Sequence, residues 1–287
     1  ADIHFLIHKA GRIYPYFLPA FALEFLVKEG VSKVSLFQTL RDLIQSVWTL
    51  SFLYMIGLPD VGFMGVVWYI SSMLLCMAVL YPFLYCNKEL YLRVIAPVTA
   101  LFSYVWMDSY TGGNGLGVGA VREWVGICYL GTVRALGGIS LGGIIWSAVE
   151  YLRRIRIRGK TIRLFLTGVE CLGYTVAIYA CYGPVSGKLT YAILAVLAGS
   201  LVLTGAGCTY SAKLTGGFLP RYLGRLSISV YLFQLSAIFI IWYLASEMKW
   251  IPYRYESMLP WYLTLDLLIA VMMDQLINRL FLKHCLS

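Results

Sequence analysis

Histidine is the scarcest chemical side chain in this sequence. The 287 residues include three, His4, His8 and His284, and none falls within a long apolar run. A Ser-His-Asp or Cys-His constellation cannot be assembled at one depth from them. His4 and His8 are four apart and can share a helix face, but no third ligand lies nearby, so no metal site is expected. Charge is scarce too. Asp, Glu, Lys and Arg make up 13% of the chain, against about a quarter in soluble domains. Hydrophobic residues make up 60%, more apolar surface than a water-soluble fold of this size can bury.

Other absences narrow the reading further. The cysteines (Cys76, Cys86, Cys128, Cys171, Cys181, Cys208 and Cys285) lack metal-site spacing and lie mostly in or beside apolar segments, so they read as small packing residues. The glycine string at 112–119 lacks the Lys-Ser/Thr ending and the preceding strand of a nucleotide-binding loop. There is no linker, no evident repeat and no soluble domain. The chain begins Ala-Asp-Ile-His, with neither an initiator Met nor a signal peptide, which reads as a cut start.

What the chain does have is apolar runs punctuated by basic clusters. The most informative stretch is Val125 to Arg163, an apolar, glycine-studded segment holding Arg134, then Arg153, Arg154, Arg156, Arg158, Lys160 and Arg163. The apolar part is long enough to cross a hydrocarbon core of about 30 Å. The basic run after it marks the cytoplasmic side, because loops rich in Lys and Arg resist translocation. The net charge of +9 is thus a topology signal, and nucleic acid is not an expected partner.

Eight spans follow: 12–27, 66–86, 91–107, 125–149, 162–182, 189–207, 226–246 and 258–282. The expected class is an all-α polytopic membrane bundle forming one domain over 1–287. Threading outward from the basic run puts both termini in the cytoplasm, with fifteen Lys and Arg inside and seven outside; Arg134 is the remaining one of 23. Trp68, Trp106, Trp124, Trp242, Trp250 and Trp261 fall near predicted outer ends, as an interfacial aromatic belt requires. The external stretch 28–65 reads as an amphipathic helix followed by a short re-entrant piece. The second external stretch, 107–124, reads as a mobile glycine-rich loop.

Ionisable residues at membrane depth are functional candidates by default. Arg134 and Asp266 lie nine and eight residues below the predicted outer ends of their spans, so they can share one level. Glu170 and Gln234 lie about twelve residues down, and Asp274 is deeper. Two interpretations stand: a polar layer lining a cavity, or a helix-locking Arg134–Asp266 pair with Gln234 as an interhelical hydrogen bond. Lys9 and Arg12, three apart at the cytoplasmic mouth, serve either as positive-inside anchors or as a phosphate clamp reinforced by the basic loop.

These pieces assemble into a family pattern. Lys9-x-x-Arg12-Ile-Tyr-Pro15 resembles the basic-x-x-Arg-Ile/Leu-Tyr-Pro signature of the bacterial integral-membrane acyltransferases, acyltransferase family three. Trp68-Tyr69-Ile70-Ser71 leading to Tyr81-Pro82 is similar to its Trp-aromatic-Leu-Ser…Tyr-Pro segment. Arg134 with its glycines is similar to its Arg-bearing middle helix. Leu223-Gly224-Arg225-Leu226-Ser227-Ile228-Ser229-Val230-Tyr231-Leu232 resembles its Leu-Gly-basic-x-Ser-x-Ser-x-Tyr-Leu motif. The chain departs from the pattern at Met73, where the family often has Glu, and at Gln234, where it often has His.

The resemblance implies a ten-span protein that moves an acyl group, usually acetyl, from cytoplasmic acyl-CoA to a hydroxyl of an extracytoplasmic glycan in a bacterial cytoplasmic membrane. It implies that two spans precede this chain, the first with the presumed catalytic histidine, and that the visible part needs them for activity. It casts Arg134 and Asp266 as catalytic and Lys9, Arg12, Arg153, Arg154 and Arg156 as donor-binding. Trp68, Ser229, Tyr231, Gln234 and Glu170 would line the pocket. The expected partners are lipid, acyl-CoA and glycan, with no metal. The competing expectations are a transporter or flippase-like carrier, the membrane half of a two-part enzyme, and a structural or sensor membrane protein.

Overall fold

The computed structural model describes residues 2–32, 35–56, 64–112, 123–155, 157, 159–182 and 187–282. Its elements in chain order are α1 (Asp2–Ser32), α2 (Leu36–Gln45), α3 (Val47–Leu50), a 3-10 turn (Tyr54–Ile56) and α4 (Val67–Cys86). Next come α5 (Lys88–Leu90), a π-helical turn (Tyr91–Ile95), α6 (Ala96–Thr111), the two-residue strands β1 (Trp124–Val125) and β2 (Cys128–Tyr129), and α7 (Leu130–Arg154). The chain continues through α8 (Lys160–Tyr182), α9 (Lys188–Ala206), α10 (Ala212–Thr215), α11 (Phe218–Ser246), α12 (Tyr255–Ile277) and a closing π-helical turn (Asn278–Leu282).

This is an all-α polytopic membrane protein. Among the described residues, seven helices are long and apolar enough to cross a bilayer, and they cover seven of the eight expected spans. The eighth expectation, 12–27, lies within the 31-residue α1, whose apolar stretch is diluted by Pro15, Pro19 and Glu24 and which is not one of the seven. Much of the spanning surface is lipid-facing. Only 6% of the α9 window and 11% of the α8 window are buried within the protein, and α8 exposes Leu164, Phe165, Leu172 and Ile178. In water an apolar surface of that extent drives aggregation; in a bilayer it is the solvated face.

The chain packs as two compact units. The first comprises 1–74 and 222–287; the second is 75–221.

In the first unit, α1 packs on α12, and Tyr16 Oη donates to Asp274 Oδ1 (3.4 Å). Arg225 on α11 pairs with Asp274 Oδ2 at 3.2 Å. Further along α1, Lys28 pairs with Glu24 at 2.8 Å and lies over the Phe239 ring at 4.8 Å. The expected amphipathic helix is α2. It is started by Ser35, whose hydroxyl accepts from the Gln38 amide (3.4 Å), and it exposes Leu36, Phe37, Leu40 and Ile44. The re-entrant piece expected after it overlaps 57–63, outside the described residues.

In the second unit, α6, α7 and α9 form the packed centre, with α8 on α9. Close approach explains two glycines of α7. A Cβ at Gly137 would lie 3.1 Å from Ser103 Cβ, and one at Gly143 would lie 3.2 Å from Ala96 Cβ. Strands β1 and β2 pair antiparallel around Gly126, whose φ of +69° suits a residue without a Cβ. This hairpin takes up 124–129, so α7 begins at Leu130, five residues later than the expected span. At the same end α6 continues to Thr111, beyond the expected limit of 107. Most of the expected mobile loop, 113–122, lies outside the described residues.

Candidate functional site

Arg134 stands four positions, about 6 Å of helix rise, below the first residue of α7, whereas the expected count of nine ran from 125 and so includes the hairpin. The arginine is half-buried. Tyr104 stands across from it on α6, the helix α7 packs against most closely. One turn beyond Tyr104 on α6 is Asp108, and the three-to-four-residue helical repeat brings both side chains to one face.

That face borders a cavity of about 320 Å³ lined by Tyr104, Val105, Asp108, Leu141, Tyr191, Leu194 and Ala195, from α6, α7 and α9. Tyr104 and Tyr191 meet edge to face with centroids 6.0 Å apart. Four polar groups mark the region as more than a packing gap. Asp108 Oδ1 and Tyr191 Oη are buried without a hydrogen-bond partner among the described residues. So are the hydroxyls of Ser103 and Ser140, beside the Tyr104 and Leu141 lining positions. Leaving one such group unpaired costs about 1–3 kcal/mol, so a cluster of them needs an explanation. A ligand with complementary polar atoms supplies one.

Chemically, the cavity joins one carboxylate, two phenols and a nearby guanidinium in largely apolar walls. A carboxylate there can take a proton from an incoming hydroxyl, and a fixed cation can steady a developing oxyanion. It sits at the end of the unit where α6 finishes and α9 begins.

At the opposite end, where α7 and α9 finish and α8 starts, is the basic cluster. Arg153 is exposed and donates from Nε and Nη2 to Gly205 O at 3.2 and 2.8 Å, with Glu150 at 3.6 Å. Arg154 is exposed; Arg156 lies outside the described residues. Cavity and basic cluster are twelve residues apart on α7, about 18 Å.

The remaining expected site residues are spread through both units. Asp266 belongs to the first unit and Arg134 to the second. Asp266 is 3% exposed, and its Oδ1 has no hydrogen-bond partner among the described residues. Ser229 is fully buried on α11, its hydroxyl likewise without a hydrogen-bond partner among the described residues. Tyr231 donates its hydroxyl to Val66 O and lies edge-on to Tyr69. Gln234 donates to Tyr231 O in its own helix (3.0 Å). Trp68 is half-buried at the start of α4, its ring edge-on to Tyr69. Lys9 and Arg12 lie on α1, Lys9 above the Phe5 ring at 5.6 Å and Arg12 exposed.

Glu170 stands apart from the cavity within the second unit. Its Oε1 accepts from Thr204 (2.5 Å) and its Oε2 from Ser211 (2.6 Å), with Thr209 joined to Ser211 at 2.9 Å and Tyr174 to Thr204 at 2.8 Å. This hydroxyl cradle ties α8 to the end of α9.

Asp108, Tyr104 and Tyr191 were not among the expected site residues. The available signal was the four-residue step from Tyr104 to Asp108, hidden because Asp108 read as the start of a loop. Among the described residues, no group of three or more His, Cys, Asp or Glu has the arrangement of a metal site. No protein-family model, curated protein or solved structure matches this chain.

Proposed function

We propose that the chain is a membrane O-acyltransferase module that takes an acyl group, acetyl in the first instance, from acyl-CoA and delivers it to a hydroxyl of a glycan across the membrane. The observation that carries this reading is the cavity between α6, α7 and α9, where Asp108 and Tyr191 present polar atoms without hydrogen-bond partners among the described residues in an apolar setting. In the proposed step the acceptor oxygen attacks the thioester carbonyl carbon. A C–O bond forms and the C–S bond breaks. The hydroxyl proton passes to the Asp108 carboxylate and from there to the departing CoA thiolate, while Arg134 steadies the oxyanion.

The basic residues at the other end of α7 suit the phosphates of the donor, and the positive-inside pattern supports a cytoplasmic placement of that end. The thioester arm then has about 18 Å to bridge along α7 from Arg153 to the cavity wall at Leu141, with Arg134 about two turns further along the helix. The four family-like strings, Lys9–Pro15, Trp68–Pro82, the Arg134 helix and Leu223–Leu232, support the same class.

The test is transfer of radiolabelled acetyl from acetyl-CoA to membrane glycan, using the protein in its native membranes. Arg134→Ala should lower labelling about 10²–10³-fold, the loss typical of one oxyanion-stabilising donor. Undiminished labelling by that variant removes Arg134 from the mechanism.

A carrier reading draws on the first unit, where Ser229, Ser236 and Asp266 are buried with side-chain oxygens that have no hydrogen-bond partner among the described residues. It requires the substrate to cross unmodified, so mass analysis of the translocated glycan separates the two readings.

A further inference from the structure

A second cavity, of about 370 Å³, lies at the basic end of the second unit and is lined by Leu152, Arg153, Ile157, Arg163, Gly207 and Cys208, together with Ala206. Three spanning helices terminate around it: α7 and α9 with their C-terminal ends and α8 with its first turn. It therefore sits at a membrane–water interface. Its two arginines are not equivalent. Arg153 answers the carbonyls at the end of α9, with two nitrogens on Gly205 O. Gly207, at φ +71°, then turns the chain away and opens the wall. Arg163 has no such task. Its backbone amide bonds Gly159 O (3.0 Å), but its side-chain Nε is buried with no hydrogen-bond partner among the described residues.

A buried guanidinium N–H without an acceptor is costly, and two guanidinium groups on one cavity repel each other unless an anion lies between them. Their planar donor sets match tetrahedral oxyanions bidentately. We propose that this cavity binds a phosphate group, held by Arg163 and Arg153. Leu152 and Ile157 in the lining, with the exposed Ile162 and Leu164 nearby on α8, suit the apolar part of a phospholipid. The same phosphate chemistry is also offered by a soluble nucleotide-type molecule entering from the water side. The inference stands whether or not the chain transfers acyl groups, and its test reads binding alone.

The full chain, purified in neutral detergent, is titrated calorimetrically with dihexanoyl phosphatidylglycerol, dihexanoyl phosphatidylcholine and 3′,5′-adenosine bisphosphate. At least one of the two anionic probes should bind saturably. Arg163→Ala should weaken that binding at least tenfold, while Arg93→Ala, on an exposed ion pair elsewhere in the unit, should change it less than twofold. Ile157→Glu introduces a carboxylate into the lining without removing any arginine, so it should also weaken binding tenfold and decides the matter if Arg163→Ala fails to fold. Binding of phosphatidylglycerol alone assigns the cavity to a lipid headgroup, and binding of the bisphosphate alone assigns it to a soluble phosphate. The proposal is overturned if neither anionic probe saturates, if phosphatidylcholine binds equally well, or if Ile157→Glu binds as the unsubstituted chain does.

Discussion

Carboxylates on the spanning helices of this chain meet different ends. Glu170 has a complete set of hydroxyl partners and reads as a lock between α8 and the end of α9. Asp108 and Asp266 each keep an oxygen without a hydrogen-bond partner among the described residues. Sequence flags Glu170 and Asp266 alike, because each is a charge inside an apolar run. It cannot tell them apart, since the partners of Glu170 lie 34 and 41 residues further along the chain. Glu170→Ala should therefore lower stability by about 2–4 kcal/mol, from hydrogen bonds to a charged acceptor worth about 1.5–3 kcal/mol each and hydroxyls left unpaired. Thermal unfolding in detergent measures this. If Glu170→Ala unfolds with the unsubstituted chain, the cradle has no structural role.

At the scale of elements, hydrophobic periodicity and length locate the spanning helices well. Val67–Cys86 matches the expected 66–86 to one residue, and Lys188–Ala206 matches 189–207 equally closely. The misses occur where apolar content and helix part company. Residues 124–129 are as apolar as the helix they precede, and only the turn at Gly126 separates them from α7. Asp108 and Ser109 look like loop because they adjoin a glycine-rich stretch, yet α6 runs through them. The second miss hides Asp108, which lines the cavity, and the first sets where α7 starts above Arg134, so the spans were legible while the site was displaced by one to two turns. The amphipathic reading of α2 is legible because Leu36, Phe37, Leu40, Leu43 and Ile44 recur at helical spacing. Lying flat at the interface, α2 should give a spin label at Leu40→Cys more access to oxygen than to an aqueous nickel reagent, and the reverse at Arg41→Cys. Equal aqueous access at both positions contradicts the interfacial placement.

At the scale of the whole molecule, basic clusters and tryptophans mark the ends of spans. Trp68, Trp106, Trp242 and Trp261 all lie within two turns of a helix end. Composition makes the multi-pass class legible before any motif is read, because a chain that is 60% hydrophobic and 13% charged leaves its apolar helices no solvent but lipid. The chemistry is less legible for a physical reason: it depends on which helices touch. Only packing brings Tyr104, Leu141 and Tyr191 around one cavity.

The account rests on that cavity as the place where an acyl group changes hands. Filling it is the most direct test. Leu141→Trp adds bulk at a lining position without removing a polar group. Acetyl transfer from acetyl-CoA to membrane glycan, measured alongside the protein's thermal unfolding, should fall at least 100-fold while the folded protein persists. Full transfer by a folded Leu141→Trp protein contradicts the account.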